Sequence, residues 1–178
     1  MEFFMKKVVF ALTALALTSG SVFAADSGDG TVKFTGEIVD SPCVLSVDSQ
    51  NQEVVLGQVQ KSIFAADGDK SPAKPFEIKL EDCDNSTLKK ANVSFSGVGD
   101  AIKSDLVSVS TEAGAAKGVG IGIYDNKNTL VALNGGKASV DLSKGQTVLY
   151  FTANYVATQI PVSTGYGNAQ VDFNLTYE

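Results

Sequence analysis

Alternating apolar and polar residues mark most of the chain after residue 24. The last segment shows it most clearly, since Val171, Phe173, Leu175 and Tyr177 alternate with polar residues. A two-residue period predicts a β-strand with one buried face. Similar short segments, separated by turn-rich stretches, occur at residues 31–39, 42–47, 52–59, 75–83, 91–99, 106–110, 118–124, 129–133, 137–142 and 146–157. The pattern predicts an all-β sandwich.

The first 24 residues follow a different pattern. Lys6 and Lys7 precede an apolar run from Val8 to about Leu17, and small residues then lead to Ala24. This order is typical of a secretory signal peptide, and the apolar run is short for a membrane span. We predict cleavage after Ala24 and export, with no membrane insertion of the mature chain; a retained membrane anchor is the alternative.

Composition narrows the classes of function. Removal of the signal peptide leaves 178 − 24 = 154 residues, the size of one domain. The net charge is −6, every basic residue is lysine, and histidine and tryptophan are absent. Nucleic-acid binding needs basic patches, Ser-His-Asp and Cys-His catalytic sites need histidine, and histidine is a usual ligand of transition metals. The sequence therefore predicts no nucleic-acid partner, no metal, no cofactor and no enzymatic activity.

The chain contains two cysteines, Cys43 and Cys83. Exported proteins reach oxidising compartments, where paired thiols form disulfides. A zinc site is disfavoured, because two thiolates without histidine do not complete a tetrahedral set of ligands. We predict one disulfide.

The two ends of the mature chain raise a question of assembly. Gly30, Val32, Phe34 and Gly36 share one face of an extended segment that follows the small polar residues 25–30. The strand at residues 171–177 ends the sequence, so its outer edge has no following strand to cover it. Either a second chain donates a strand to that edge, or the N-terminal segment folds back onto its own domain. The alternation is compatible with both.

At this point the chain resembles the major subunits of chaperone–usher fimbriae of the type 1 kind. The resemblance extends from the signal peptide to Glu178. It is carried, in the family's order, by the stretches GTVKFTGEIVDSPC, VVLGQV, PFEIKLEDCD, GVGIGIYD, YFTANYVAT and NAQVDFNLTYE.

The resemblance implies an incomplete immunoglobulin-like β-sandwich that lacks its last strand and is completed by a donor strand from another subunit. It divides the chain into a signal peptide (1–24), a donor-strand extension (25–38) and a sandwich domain (39–178). In the extension, Val32 and Phe34 are the expected plugs, Gly36 shares their face, and Gly30 is the small residue that fits the crowded pocket where exchange begins. The resemblance also implies that the disulfide joins Cys43 to Cys83.

The same resemblance implies which residues receive the donor. Gly165 and Tyr177 match positions of the C-terminal motif, and the Glu178 carboxylate is the expected anchor in a basic chaperone cleft. The expected groove follows the strand that carries Val171, Phe173 and Leu175. A periplasmic chaperone fills it first, and an outer-membrane usher and tip adaptor or adhesin subunits are further expected partners.

The resulting expectation is a structural subunit that travels through the periplasm and polymerises into a surface fimbria that supports adhesion. A minor adaptor subunit and a monomeric secreted ligand-binding sandwich are the alternatives. One position departs from the family's pattern: Asn154 stands where relatives commonly carry a basic residue. Any salt bridge between subunits at that position is therefore in doubt.

Overall fold

The computed structural model describes residues 30–39 and 41–178. The predicted signal peptide, its cleavage site and residues 25–29 lie outside the described residues. The chain divides into two units, Met1–Glu37 and Ile38–Glu178. In the first unit, residues 30–37 carry no helix or strand, and all of their side chains are exposed.

The described part of the second unit is built almost entirely from strands. Its helical elements are one turn of α-helix, α1 (Val47–Gln50), and one 3-10 turn (Lys61–Ile63). None of the helices in the described part of the chain has the length and apolar character needed to cross a membrane. The strands are β1 (Val44–Leu45), β2 (Lys74–Cys83), β3 (Lys90–Ser96), β4 (Val107–Ser108), β5 (Val119–Asp125), β6 (Ala138–Asp141), β7 (Gly145–Ala157) and β8 (Asp172–Tyr177).

The strands form two antiparallel sheets. The larger sheet has the order β1-β2-β7-β5-β4, and the smaller has the order β6-β3-β8. Apolar residues from both sheets form the main core, because alternate side chains of each strand point inward. The structure confirms the predicted all-β sandwich. The terminal strand begins one residue after its predicted start.

An aromatic cluster joins the two sheets at the centre of the core. The Phe151 ring lies 5.3 Å from the Phe76 ring, centroid to centroid, in a stacked arrangement. It lies at the same distance from the Phe95 ring, edge to face. Phe76 and Phe151 belong to the larger sheet and Phe95 to the smaller, so the cluster fixes how the sheets face each other.

The predicted disulfide is confirmed. Cys43, just before β1, is bonded to Cys83 at the end of β2, and both residues are buried. The backbone N–H of Asp84 donates to the carbonyl of Pro42 at 2.8 Å, which continues the pairing of the two segments past the disulfide.

Three predicted strands are absent from the described subunit. Residues 31–39 carry no strand. Residues 52–59 alternate as predicted, with Val54 and Leu56 half-buried, but no strand among the described residues pairs with them. Residues 129–133 make only an isolated bridge between Leu130 and Tyr124. After that bridge the chain turns away, because Leu133 bonds to the carbonyl of Asp105 in another segment.

Candidate functional site

Strand β8 lies at the edge of the smaller sheet and is incompletely buried. It pairs with β3, with Leu175 opposite Val93 and Phe173 opposite Phe95. In the described sheet order no strand lies on its other side. Phe173, Leu175 and Tyr177 pack against the core yet remain half-exposed, whereas Val93 and Phe95 opposite them are fully buried. The apolar face of β8 therefore lacks part of its cover.

The hydrogen-bond pattern shows which backbone groups of β8 are unpaired. Lys90 and Glu178 exchange both backbone bonds, at 2.7 and 3.0 Å. In an antiparallel ladder such pairs alternate with non-bonded pairs, so Asp172, Asn174 and Thr176 bond to β3. The N–H and C=O groups of the intervening residues point to the open edge. These residues, 171, 173, 175 and 177, are the same ones that carry the half-buried apolar side chains.

A groove of about 840 Å³ runs beside this edge. Val171, Phe173 and Leu175 contribute one wall, and the floor between the sheets is mainly aliphatic and aromatic. The floor residues are Leu45, Phe76, Ile78, Phe95, Val107, Ile121, Ile123 and Ala153. An apolar groove beside unpaired backbone groups has the chemistry that an extended peptide with alternating apolar side chains would satisfy.

The second wall of the groove is a segment that the sequence did not assign to the site. Residues 50–54 and 56 line the groove together with β8. Val54 and Leu56 are half-buried between exposed neighbours, so their side chains follow a two-residue period. No strand among the described residues pairs with this segment.

Gly165 lies outside the residues that line the groove. A Cβ atom at this position would stand 2.4 Å from the backbone carbon of Ala115 and 2.4 Å from the nitrogen of Ala116. The neighbouring Tyr166 bonds to the same segment through its N–H to Gly114 and its C=O to Ala116, both at 2.9 Å. Gly165 thus allows two backbones to approach, just upstream of the chain that forms the groove wall.

The Gly165→Ala variant is expected to lower the free energy of unfolding by about 2 kcal/mol or more, because backbone must move to admit the methyl group. Urea denaturation of the secreted subunit measures this. Gly135→Ala is the matched control, because no atom lies within 4 Å of the Cβ that it would add. Equal stability of the two variants would contradict the close-packing role.

Tyr155 fixes the segment that leads into β8. Its hydroxyl donates a hydrogen bond to the carbonyl of Gly167 at 3.0 Å. Burial raises the pKa of Tyr155, so the hydroxyl stays neutral and remains a donor at physiological pH. A Cβ at Gly167 would stand 2.5 Å from the Tyr155 hydroxyl, so the glycine leaves room for the ring.

The other predicted site residues are found at separate places. The backbone oxygen of Glu178 accepts bonds from the N–H groups of Lys89 and Lys90, at 2.7 Å each. In the N-terminal unit, Val32 and Phe34 are 74% and 90% exposed. Gly30 and Gly36 have no atom within 4 Å of an added Cβ.

Asn154 is buried on β7 rather than displayed at the surface. Its exposed fraction is 6%, and its Nδ2 donates to the carbonyl of Ser71 at 3.3 Å. Its Oδ1 has no hydrogen-bond partner among the described residues. At this position the chain therefore offers a buried amide and no surface charge.

Three carboxylates lie beside Cys83, and one of them accepts a local backbone hydrogen bond. Glu81, Asp82 and Asp84 are exposed at the end of β2. The backbone N–H of Ser86 donates to Asp84 and holds the pKa of that carboxyl below its usual value. Within residues 30–39 and 41–178, no group of three or more His, Cys, Asp or Glu side chains is arranged to hold a metal ion.

Comparisons with known proteins agree on one family. The family model described as Fimbrial protein matches residues 32–178. The chain is 91% identical over 178 residues to the probable major fimbrial subunit LpfA of Escherichia coli O157:H7, with both chains covered completely. It is 72% identical over the same length to long polar fimbria protein A of Salmonella typhimurium strain LT2, again with both chains covered completely.

Solved structures give the same result. The crystal structure of the P pilus rod subunit PapA matches with a TM-score of 0.65 and 26% identity, covering 78% of this chain and 100% of that one. A subunit of a chaperone–usher pilus, from a structure that addresses the uncoiling of its rod, matches with a TM-score of 0.71 and 28% identity. That match covers 85% of this chain and 97% of the other.

Proposed function

This chain belongs to the fimbrial protein family, and from that premise we propose how its subunits join. It is a structural subunit of a surface fimbria, exported to the cell surface and polymerised with other subunits. Its immunoglobulin-like sandwich is the fold of solved pilus rod subunits. The proposal concerns the residues that make each joint and the partners that precede it.

In the proposed joint, residues 25–38 of one subunit enter the groove of the next. The observation that carries this assignment is the edge of β8, where half-buried apolar side chains and unpaired backbone groups belong to the same residues. A donor strand supplies both missing partners at once, because its backbone pairs with β8 while its alternate side chains fill the groove. Residues 50–56 flank the donor on the other side.

Val32 and Phe34 act as the main plugs of the donor. They lie two residues apart and are largely exposed in the N-terminal unit. Each gains about 1.5–3 kcal/mol on full burial. Gly30 and Gly36 continue the same face with no side chain, so they fit where the groove leaves little room.

Before polymerisation, a periplasmic chaperone occupies the groove. An apolar groove of about 840 Å³ is an aggregation hazard for a free subunit, so temporary cover is needed. The Glu178 carboxylate is the proposed anchor in a basic chaperone cleft. An outer-membrane usher and tip subunits complete the proposed set of partners.

The shaft role is favoured over the alternatives. A relative that is 91% identical over the full length is named as a probable major fimbrial subunit, which favours a shaft subunit over a minor adaptor. Family membership also disfavours the monomeric ligand-binding sandwich. Contacts of this head-to-tail kind do not close on themselves, and they therefore propagate into a filament.

The Phe34→Ala variant tests the plug assignment. It is expected to weaken each joint by about 2 kcal/mol, because the benzyl group no longer fills the groove. Fimbriae that carry the variant should dissociate into subunits at a lower temperature in detergent, as followed by electrophoresis. Thr35→Ala is the matched control on the opposite face, and equal dissociation of the two would contradict the assignment.

A further inference from the structure

Asp172 is placed to control the register in which a donor strand adds to β8. A period-two strand that slips by two residues keeps the same face inward, so side-chain pattern alone does not exclude such a slip. The slip changes which residues lie opposite each other on both faces, and on the outward face it changes which charged side chains meet. This inference rests on the donor joint described above.

The pairings follow from the geometry of β8. Both observed pairings of the smaller sheet are antiparallel, so an added strand is taken to run antiparallel to β8. The donor face contains residues 30, 32, 34 and 36, and the open edge contains residues 171, 173, 175 and 177. All four residues of the donor face lie opposite the four residues of the open edge only when residue 36 lies opposite residue 171. Phe34 then lies opposite Phe173, next to the aromatic cluster.

In this matched register no two like charges lie directly opposite each other in the outward-facing row. Thr35 lies opposite Asp172, and Glu37 lies opposite the neutral Gln170. Lys33 and Glu37 are the two diagonal neighbours of Asp172, one of opposite and one of like charge, at the longer diagonal distance. All of these side chains are exposed.

A slip by two residues toward Tyr177 changes one contact decisively. Phe34 then meets Leu175, and Glu37 comes directly opposite Asp172. Like charges that face each other across a strand pair are destabilising. We propose that Asp172 is a specificity-determining residue of the joint, which rejects this slip by repelling Glu37.

The register can be measured by testing which pair of introduced cysteines forms a disulfide between subunits. Residues 31 and 176 are directly opposite in the matched register, and residues 35 and 174 are directly opposite in the slipped one. Both are non-bonded pairs, whose Cα atoms lie about 4.5 Å apart and within disulfide range. Fimbriae carrying Thr31→Cys with Thr176→Cys are expected to give a cross-linked ladder. Those carrying Thr35→Cys with Asn174→Cys are expected to give a much weaker one.

Charge changes then test Asp172 itself. With Asp172→Lys, the slipped cross-link should rise roughly twofold to fivefold relative to the matched one. Glu37→Lys should produce a similar rise, and the two changes together should cancel it, because repulsion returns. Glu112→Lys, an equal charge change at another exposed position, should leave the ratio unchanged.

Each outcome separates the register proposal from the joint itself. A matched ladder whose ratio does not respond to Asp172→Lys or Glu37→Lys would overturn the role of Asp172 and leave the joint intact. A dominant slipped ladder in subunits that retain Asp172 would also overturn it. Filaments that form without cross-links in either pair would exclude both registers and overturn the joint as it is proposed here.

Discussion

Deletion of residues 25–35 is expected to abolish surface filaments while a folded subunit persists in the periplasm. The deletion removes the plugs Val32 and Phe34 and most of the donor backbone. It leaves the sandwich unit Ile38–Glu178, with its own core, intact. Electron microscopy of the cell surface and immunoblotting of periplasmic extracts measure the two parts of this result. Filaments that still form would show that the subunits join in another way.

A second variant is needed because the deletion begins next to the predicted cleavage site, where it could block removal of the signal peptide. The double substitution Val32→Ser with Phe34→Ser keeps the length and the processing region but removes the apolar plugs. It is expected to reproduce the loss of filaments. The control Thr31→Ser with Thr35→Ser changes the opposite face of the same segment, and it should assemble normally.

Removal of the disulfide is expected to cause the largest loss of stability. Cys43 and Cys83 are 40 residues apart, and in the chain-entropy model closure of such a loop contributes about 4 kcal/mol. Single domains have total stabilities of roughly 5–15 kcal/mol, so the Cys43→Ala, Cys83→Ala variant should lose much of its margin. Its urea midpoint should fall well below that of the oxidised subunit.

Reduction supplies the matched comparison for this prediction. The oxidised subunit treated with a thiol reductant should approach the midpoint of the double variant, because both lack the same covalent link. Reductant should leave the double variant unchanged. An unaltered midpoint after loss of the disulfide would contradict its stabilising role.

The proposed joint places strand donation and core formation in one step. In the described subunit, the inward face of β8 is half-exposed and its outer backbone is unpaired. A donor would bury several apolar side chains and satisfy the edge together, so the contact resembles the completion of a fold. Such a joint is expected to separate far more slowly than a contact between two complete surfaces.

Local pattern determined much of the architecture. The alternation of Val171, Phe173, Leu175 and Tyr177 predicted β8, and two cysteines in an exported chain predicted the disulfide. These features could be read from sequence because a two-residue period and a redox compartment act on the residues themselves. The stretch at residues 52–59 shows the limit, since its pattern predicted a strand but no described strand pairs with it.

Only the tertiary structure decided what surrounds these elements. It placed residues 50–54 and 56 along the groove as a second wall, and it put Gly165 against residues 115 and 116, outside the groove. It also buried Asn154 beneath the chain at Ser71. The physical reason is that a strand's own sequence specifies which face is apolar, whereas its neighbours depend on long-range packing. The open edge of β8 also depends on such packing, because the edge is open only where no described strand lies beside it.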